Sequence, residues 1–310
     1  MTSQDTPLIS IVIPVFNTGK PCLELLKALL DNTYKNIEII CIDDGSKDDS
    51  YKLLSDFAGK SRKVRVFKQK NAGPSAARNT GIKHATGYYA IFVDSDDMVE
   101  STFLEKLLRA YKSNTVLACT SIQYNRLAIN ESYPIYTKRV RAHKKNESLK
   151  NYALYLLRHD GRLYGVINKL FRLDIIRDNN LHFDTNLRFA EDTNFVLDYI
   201  DAAEKHYANS YSLGFIYEPL YIYNYGTETS TVAKSSLSWD GWQKSYEKLR
   251  SWSSTEKSLT ARARLFLIWL RWKISHALNV QRANIPKKEK LNYASRTELL
   301  FAKLLLMVRK

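Results

Sequence analysis

The sequence predicts an α/β fold, a mostly parallel sheet with helices on both faces, followed by a mainly helical C-terminal region. Three observations predict it. Apolar runs rich in β-branched residues recur along the first hundred positions, segments of helical character separate them at short spacing, and two of the runs stop abruptly in clusters of Asp and Ser.

The first run, "LISIVIPVF" at 8–16, is continuous rather than alternating, as a strand buried on both faces requires. "CLELLKALL" supplies a helix after it, and "NIEIICI" a second strand that ends in "DDGSKDDS". A helix over "YKLLSDFA", a short strand "VRVFK", a loop "QKNAGPS" and a helix over "AARNTGIKHA" lead to a fourth strand within "YYAIFVDSDDMV", residues 88–99. Ligands of such sheets collect beyond the carboxyl ends of the strands. Asp43 and Asp44 after the second strand, and Asp94 to Asp97 after the fourth, are therefore expected to face one crevice.

A chain of 310 residues, 45% of them hydrophobic, can bury a full core and an accessory region besides. Cys22, Cys41 and Cys119 are odd in number and match no metal spacing, so they read as buried free thiols and imply a reducing cytoplasm. The N-terminus lacks the pattern of a secretory signal and no run is long enough for a membrane span, which implies a soluble or peripheral protein. The net charge of +15 is unevenly spread. Residues 231–310 hold 17 Lys+Arg against 5 Asp+Glu and all five tryptophans, which leaves only +3 for the rest, and no nucleic-acid partner is expected.

Carboxylates converging on one point repel unless a cation joins them. Hard oxygen ligands favour Mg²⁺ or Mn²⁺, and few protein ligands leave positions for phosphate oxygens, so a divalent ion holding a diphosphate is the economical reading. The plainer alternatives are an Asx turn for "DDGS" and, for "DSDD", a solvated helix start with Asp97 capping a helix that begins near Ser101.

These residues resemble the bacterial family 2 glycosyltransferases, inverting enzymes of the GT-A fold that use nucleotide-sugar donors. The matching pieces are "SIVIPVFN" at 10–17, "IDDGSKDDS" at 42–50, "NAGPSAARNTGI" at 71–82, "GYYAIFVDSDDM" at 87–98, "INKLFRLDII" at 167–176 and "RFAEDTNF" at 188–195. They cover roughly residues 8–225. The resemblance implies a catalytic domain over 1–230, its nucleotide part about 1–122 and its acceptor part about 123–230, with 231–310 as a separate basic region. It also implies a hexosyl- or N-acetylhexosaminyltransferase of surface-glycan synthesis, with a UDP-sugar donor, a saccharide or lipid-linked saccharide acceptor and Mn²⁺ or Mg²⁺.

Carried over position by position, Pro14, Val15 and Asn17 line the nucleotide pocket, and Asp43 lies beside Asp44, the carboxylate that reads the base. A carboxylate accepts the imide N–H of uracil, a donor that neutral cytosine lacks. Arg78 is placed to meet a phosphate or the base, with a surface ion pair as the alternative. Asp96 matches the metal-touching residue of the family's DxD motif, with Ser95 in the same turn and Asp94 toward the donor's ribose and sugar. Asp192 matches the base that deprotonates the acceptor, and Glu191 orients acceptor or metal; the alternative is a pair of helix N-terminal acids favoured by the dipole. Lys169 approaches donor phosphates or acceptor, or else is a solvated strand-end lysine. Where many relatives carry an arginine after the closing tyrosines, this chain has Asn224 and Tyr225, which removes the ground for a cationic phosphate contact there.

A catalytically silent nucleotide- or glycan-binding module is the alternative from another class, and the intact Asp96 and Asp192 argue against it. A nucleotidyltransferase would need a glycine-rich, Arg-containing loop after the first strand, which is absent. In the tail, Leu265, Ile268, Trp269 and Trp272 fall at helical spacing. They fit a helix packed on the catalytic domain or on a second copy, or peripheral docking on the inner face of the cell membrane.

Overall fold

A computed structural model describes residues 6–127, 130–144, 147–187, 189–206, 211–225 and 239–254, with helical residues 265–266, 268–270, 272–274 and 276–277. The first half follows the predicted alternation. Strands β1 (Ile9–Val15), β2 (Ile37–Asp43), β3 (Val64–Lys68) and β4 (Tyr89–Phe92) run parallel in the order β3-β2-β1-β4, separated in sequence by helices α1 (Lys20–Asp31), α2 (Ser50–Ala58) and α3 (Pro74–His84).

Both faces of this sheet are buried, which is why its central strands are mostly apolar, with buried Ser10 donating to buried Glu38 between β1 and β2. Ile9, Ile11 and Ile13 pack on one side with Leu25, Leu26 and Phe103, whereas Val12, Ile40 and Phe92 pack on the other with Ala77, Phe183 and Phe195. The α3 side comes close: a Cβ at Gly81 would lie 2.2 Å from a methyl of Val12, so only glycine allows this helix to meet β1.

The chain then adds a mixed half. After the two-residue β5 (Met98–Val99) and α4 (Phe103–Arg109) come β6 (Thr115–Arg126), β7 (Glu131–Ile135), α5 (Leu149–His159), β8 (Lys169–Arg172), α6 (Leu173–Asp178), α7 (Glu191–His206) and β9 (Ser212–Tyr225). β8 lies antiparallel between β4 and β6, β9 runs parallel to β6, and β5 and β7 pair antiparallel with β9 and β6. Sequence order therefore reverses beside β1, between β2 on one side and β4 on the other. In open α/β sheets ligands bind outside the strands' carboxyl ends at such a reversal.

The last described elements are α8 (Asp240–Ser254) and helical residues between 265 and 277. Leu249, Trp252, Leu265, Ile268 and Trp272 join the same buried cluster as Phe171 and Phe195, and the Trp272 indole N–H donates to the Tyr164 hydroxyl at 2.8 Å. The apolar arc of the tail is thus used in packing, with Trp269 only half-buried and Phe266 exposed. The terminal "LLFAKLLLMVRK" lies outside the described residues. Cys22, Cys41 and Cys119 are buried free thiols, and among the described residues no helix is long and apolar enough to cross a membrane.

Candidate active site

Three loops meet at the carboxyl ends of β1, β2 and β4. Pro14 and Val15 end β1, and Asn17, held in the left-handed region at φ 52°, turns the chain toward α1. Its N–H donates to Ser46 Oγ at 3.0 Å and its side-chain oxygen accepts from Lys47 N–H at 2.8 Å, which locks the β1 and β2 loops together. Ser95, buried in the turn after β4, shares a hydroxyl contact of 2.6 Å with Thr18. The nucleotide-lining segment and the acidic turn are therefore one framework.

Asp43 and Asp44 have different hydrogen-bond partners. Asp44 accepts from Gln69 Nε2 at 2.8 Å, Ala72 N–H at 2.9 Å and Gly73 N–H at 2.8 Å, so its carboxylate closes the 69–73 loop onto the start of α3. Asp43, the last residue of β2, accepts a long bond from Ser46 N–H on Oδ2, while its buried Oδ1 has no hydrogen-bond partner. An orphaned buried acceptor is costly unless something donates to it. Of the two, Asp43 carries the acceptor left without a donor.

In the acidic turn the three carboxylates have three environments. Asp97 is buried, accepting from the Tyr221 hydroxyl at 2.6 Å and from Asn224 N–H at 2.8 Å. Burial first, and then the charge of Asp94, push it well above the usual carboxylate range, with both hydrogen bonds opposing. It caps no helix, since α4 starts at Phe103 after Thr102. Asn224 also donates through Nδ2 to the Asp96 carbonyl at 2.8 Å, so the residue standing where relatives carry arginine braces the turn instead. Asp96 is half-buried. With Asp94 engaged by Arg78, Asp96 fits a hard divalent ion bound through one carboxylate and phosphate oxygens. Among the described residues no group of three or more His, Cys, Asp or Glu forms a protein-only cage.

Arg78, on α3, is the hub. Its side chain is only 5% exposed, and it donates to Asp94 at 2.8 Å and to Asp192 at 2.9 Å, with Glu191 at 3.8 Å. It is a buried bridge, neither a surface pair nor a free phosphate ligand in this conformation. Burial works against its charge, yet Asp192, Asp94 and Glu191 raise its pKa further above the ordinary value. Glu191 and Asp192 open α7 as expected of N-terminal acids, but they also turn inward. Burial, with the charge of Asp192 added, pushes Glu191 up to about 7. Asp192 is likewise raised by burial, and Asp94 adds to this while Arg78 and the Val166 N–H pull it back.

Ala190, at φ 60°, occupies a conformation unfavourable for a side chain immediately before this pair. Asn194 holds it there, donating through N–H and Nδ2 to the Ala190 carbonyl, and Nδ2 also reaches Gly241 O of α8 at 2.9 Å. A side chain at Gly241 would run into the Phe189 carbonyl. The C-terminal helix is thus seated directly behind the acidic pair.

Lys169 is not the solvated strand-end lysine of the alternative reading. It is fully buried, donating to Asn168 Oδ1 at 3.0 Å and to the carbonyls of Tyr164 and Ile167 at 3.4 Å, and burial lowers its pKa to about 8. It gathers the 164–168 turn whose Val166 N–H reaches Asp192. Sequence reading missed Tyr221, Gln69 and Thr18, and saw in Asn224 only the loss of a cation. All four act by holding a carboxylate or a turn across more than twenty positions of chain, and no local pattern marks that.

A family model described as glycosyl transferase family 2 matches residues 10–169. An uncharacterized glycosyltransferase, EpsJ of Bacillus subtilis, is 34% identical over 222 residues, 70% of this chain and 61% of that protein. A cholesterol galactosyltransferase of Borreliella burgdorferi is 34% identical over 218 residues, 66% of this chain and 58% of that one. The chain therefore spans about three fifths of the length of these curated relatives. Two solved structures share the fold. S. aureus TarS 1-349 in complex with UDP-GlcNAc has a TM-score of 0.60 at 19% identity, over 91% of this chain and 69% of that one. The mannosyltransferase PcManGT of Pyrobaculum calidifontis, in complex with GDP-Man and Mn²⁺, has a TM-score of 0.59 at 12% identity, over 99% and 82%. The fold is GT-A, and with its model match covering more than half of the sequence the chain belongs to glycosyl transferase family 2.

Proposed function

We propose that the chain transfers a hexosyl or N-acetylhexosaminyl group from a UDP-sugar to a glycan or lipid-linked saccharide acceptor in surface-glycan synthesis, by direct displacement with inversion. One observation carries this reading: Arg78 draws the strand-end turn at Asp94 and the α7 acid Asp192 to a single point. The donor end and the base are thereby side by side.

In the proposed reaction the acceptor oxygen attacks the anomeric carbon, its proton passes to the Asp192 carboxylate, and the bond to the nucleoside diphosphate breaks with its electron pair on the leaving phosphate. Asp43 accepts the uracil imide N–H. Asp96 would hold a divalent ion, Mn²⁺ or Mg²⁺, whose charge when bound would offset that developing on the diphosphate. Glu191 orients the acceptor. Arg78 keeps Asp192 ionised beside Asp94 until substrates arrive. That the relatives include a galactosyltransferase and that a fold neighbour binds UDP-GlcNAc supports the donor class.

Mass spectrometry of products from UDP-glucose, UDP-galactose and their N-acetylated forms, with UDP release followed with and without saccharide acceptors, tests the proposal. UDP binding with no release from any donor would instead favour a silent binding module. We place the protein in the cytoplasm; salt-sensitive co-sedimentation of the full chain with anionic liposomes would add a peripheral contact with the membrane's inner face.

A further inference from the structure

A row of tyrosines leaves the acidic turn along the β6–β9 ladder. Tyr221, whose hydroxyl donates to Asp97, and Tyr223 lie on the same face of β9 as Tyr225. In register, Tyr124 of β6 stands opposite Tyr223 on one side and opposite Tyr133 of β7 on the other. Tyr124 lies 5.2 Å from Tyr223, 5.4 Å from Tyr133 at 25° between planes, and 5.7 Å from Tyr225 at 29°.

Self-packing accounts for the inner part of this row but not for its outer end. Tyr133 and Tyr225 are 41% and 38% exposed, among the largest exposed apolar side chains described. Nearly parallel rings with open area suit a flat apolar partner with polar edges. The ion pair Arg126–Glu131, on neighbouring positions of the same face, is itself exposed and offers donors and acceptors to hydroxyls. The row is joined to the acidic turn through Asn224, which precedes Tyr225 and braces Asp96 and Asp97.

We infer that Tyr124, Tyr133 and Tyr225, with Arg126 and Glu131, form a saccharide-binding platform that takes sugar rings of the acceptor and leads them toward the acidic turn. A pyranose presents one face of C–H groups and a rim of hydroxyls, which matches stacked rings beside an exposed ion pair. The inference rests on the reading of the site as a glycosyl-transfer centre, because only that reading requires an acceptor at this place.

The test is saturation-transfer difference NMR of the full chain with chitotriose, cellotriose and lactose. The wild type saturates ring protons of at least one of these sugars, the Tyr133→Ala/Tyr225→Ala variant loses at least five-fold of that signal, and Tyr133→Phe/Tyr225→Phe keeps it because stacking survives. No saturation of any of the three by the wild type, or equal saturation in the alanine variant, overturns the platform. A dimer in sedimentation velocity that the alanine variant dissolves would assign these rings to a second copy and also overturn it. Calorimetry with UDP on the same samples separates the two levels: a wild type that binds no UDP removes the glycosyl-transfer reading, whereas UDP binding with tyrosine-independent sugar signals removes only this inference.

Discussion

Arg78 and Asp192 stand 114 positions apart in sequence and 2.9 Å apart in the fold, and the same guanidinium holds Asp94 at 2.8 Å. A planar fork spans two carboxylates, while an ammonium is a single point charge. Arg78→Lys is therefore expected to lower transfer by about 10- to 100-fold, roughly 1.4–2.7 kcal/mol. Arg78 lowers the pKa of Asp192, so loosening the pair raises it. The acid limb of the rate profile should move to higher pH. An unmoved limb in a pH series of kcat/KM would separate Arg78 from the base.

Asp192→Asn removes the proposed base but leaves the donor pocket, so transfer should fall by ~10²–10⁴-fold with UDP affinity retained. Asp96→Ala should do the converse, abolishing Mn²⁺-dependent UDP binding while the fold persists, since Asp96 is a half-buried turn residue rather than part of the core. Calorimetric titration with UDP and Mn²⁺, run beside single-turnover assays, distinguishes the two. Loss of UDP affinity in Asp192→Asn would count against its role as base.

Asp43 and Asp44 should part company in the same way. Asp43→Asn presents an amide to the base edge and should narrow the preference for UDP over CDP, read as a ratio of Kd values. Asp44→Ala strips three hydrogen bonds from the 69–73 loop, and at about 1 kcal/mol each it should cost on the order of 3 kcal/mol in urea unfolding. Equal UDP/CDP ratios in wild type and Asp43→Asn would return the base-reading role to Asp44.

Glu191 gives stability a pH slope. Its folded pKa of about 7 lies above the ordinary 4.5, so between those values the folded chain holds more protons than the unfolded one, and stability falls as pH rises through this window. Glu191→Gln should flatten that fall, by on the order of 2 kcal/mol between pH 4.5 and pH 8. Urea unfolding at the two pH values measures it. A parallel loss in both proteins would place the slope on another group.

The opening strands and helices were legible in the sequence because each is written locally. "LISIVIPVF" and "NIEIICI" are apolar at most positions, Ser10 and Glu38 being buried exceptions that bond each other, since both faces of β1 and β2 are covered, and the Asp clusters mark where β2 and β4 leave the core. Which side chains meet beyond the strand ends was a different matter. Placing β8 beside β4 and threading α7 past α3 is what brings Asp192 to Arg78, and the carbonyls of the 164–168 turn are what take Lys169 out of solvent. The open acceptor falls to Asp43 because Asp44 is filled by amides of a loop about 25 residues on. The tail's apolar stripe is equally suited to a membrane or to a core, and its described residues Leu265, Ile268 and Trp272 are buried, with Trp272 donating to Tyr164. Periodicity specifies an element and its buried face, whereas pairing between distant polar groups depends on strand order and helix placement, which only the packed chain sets.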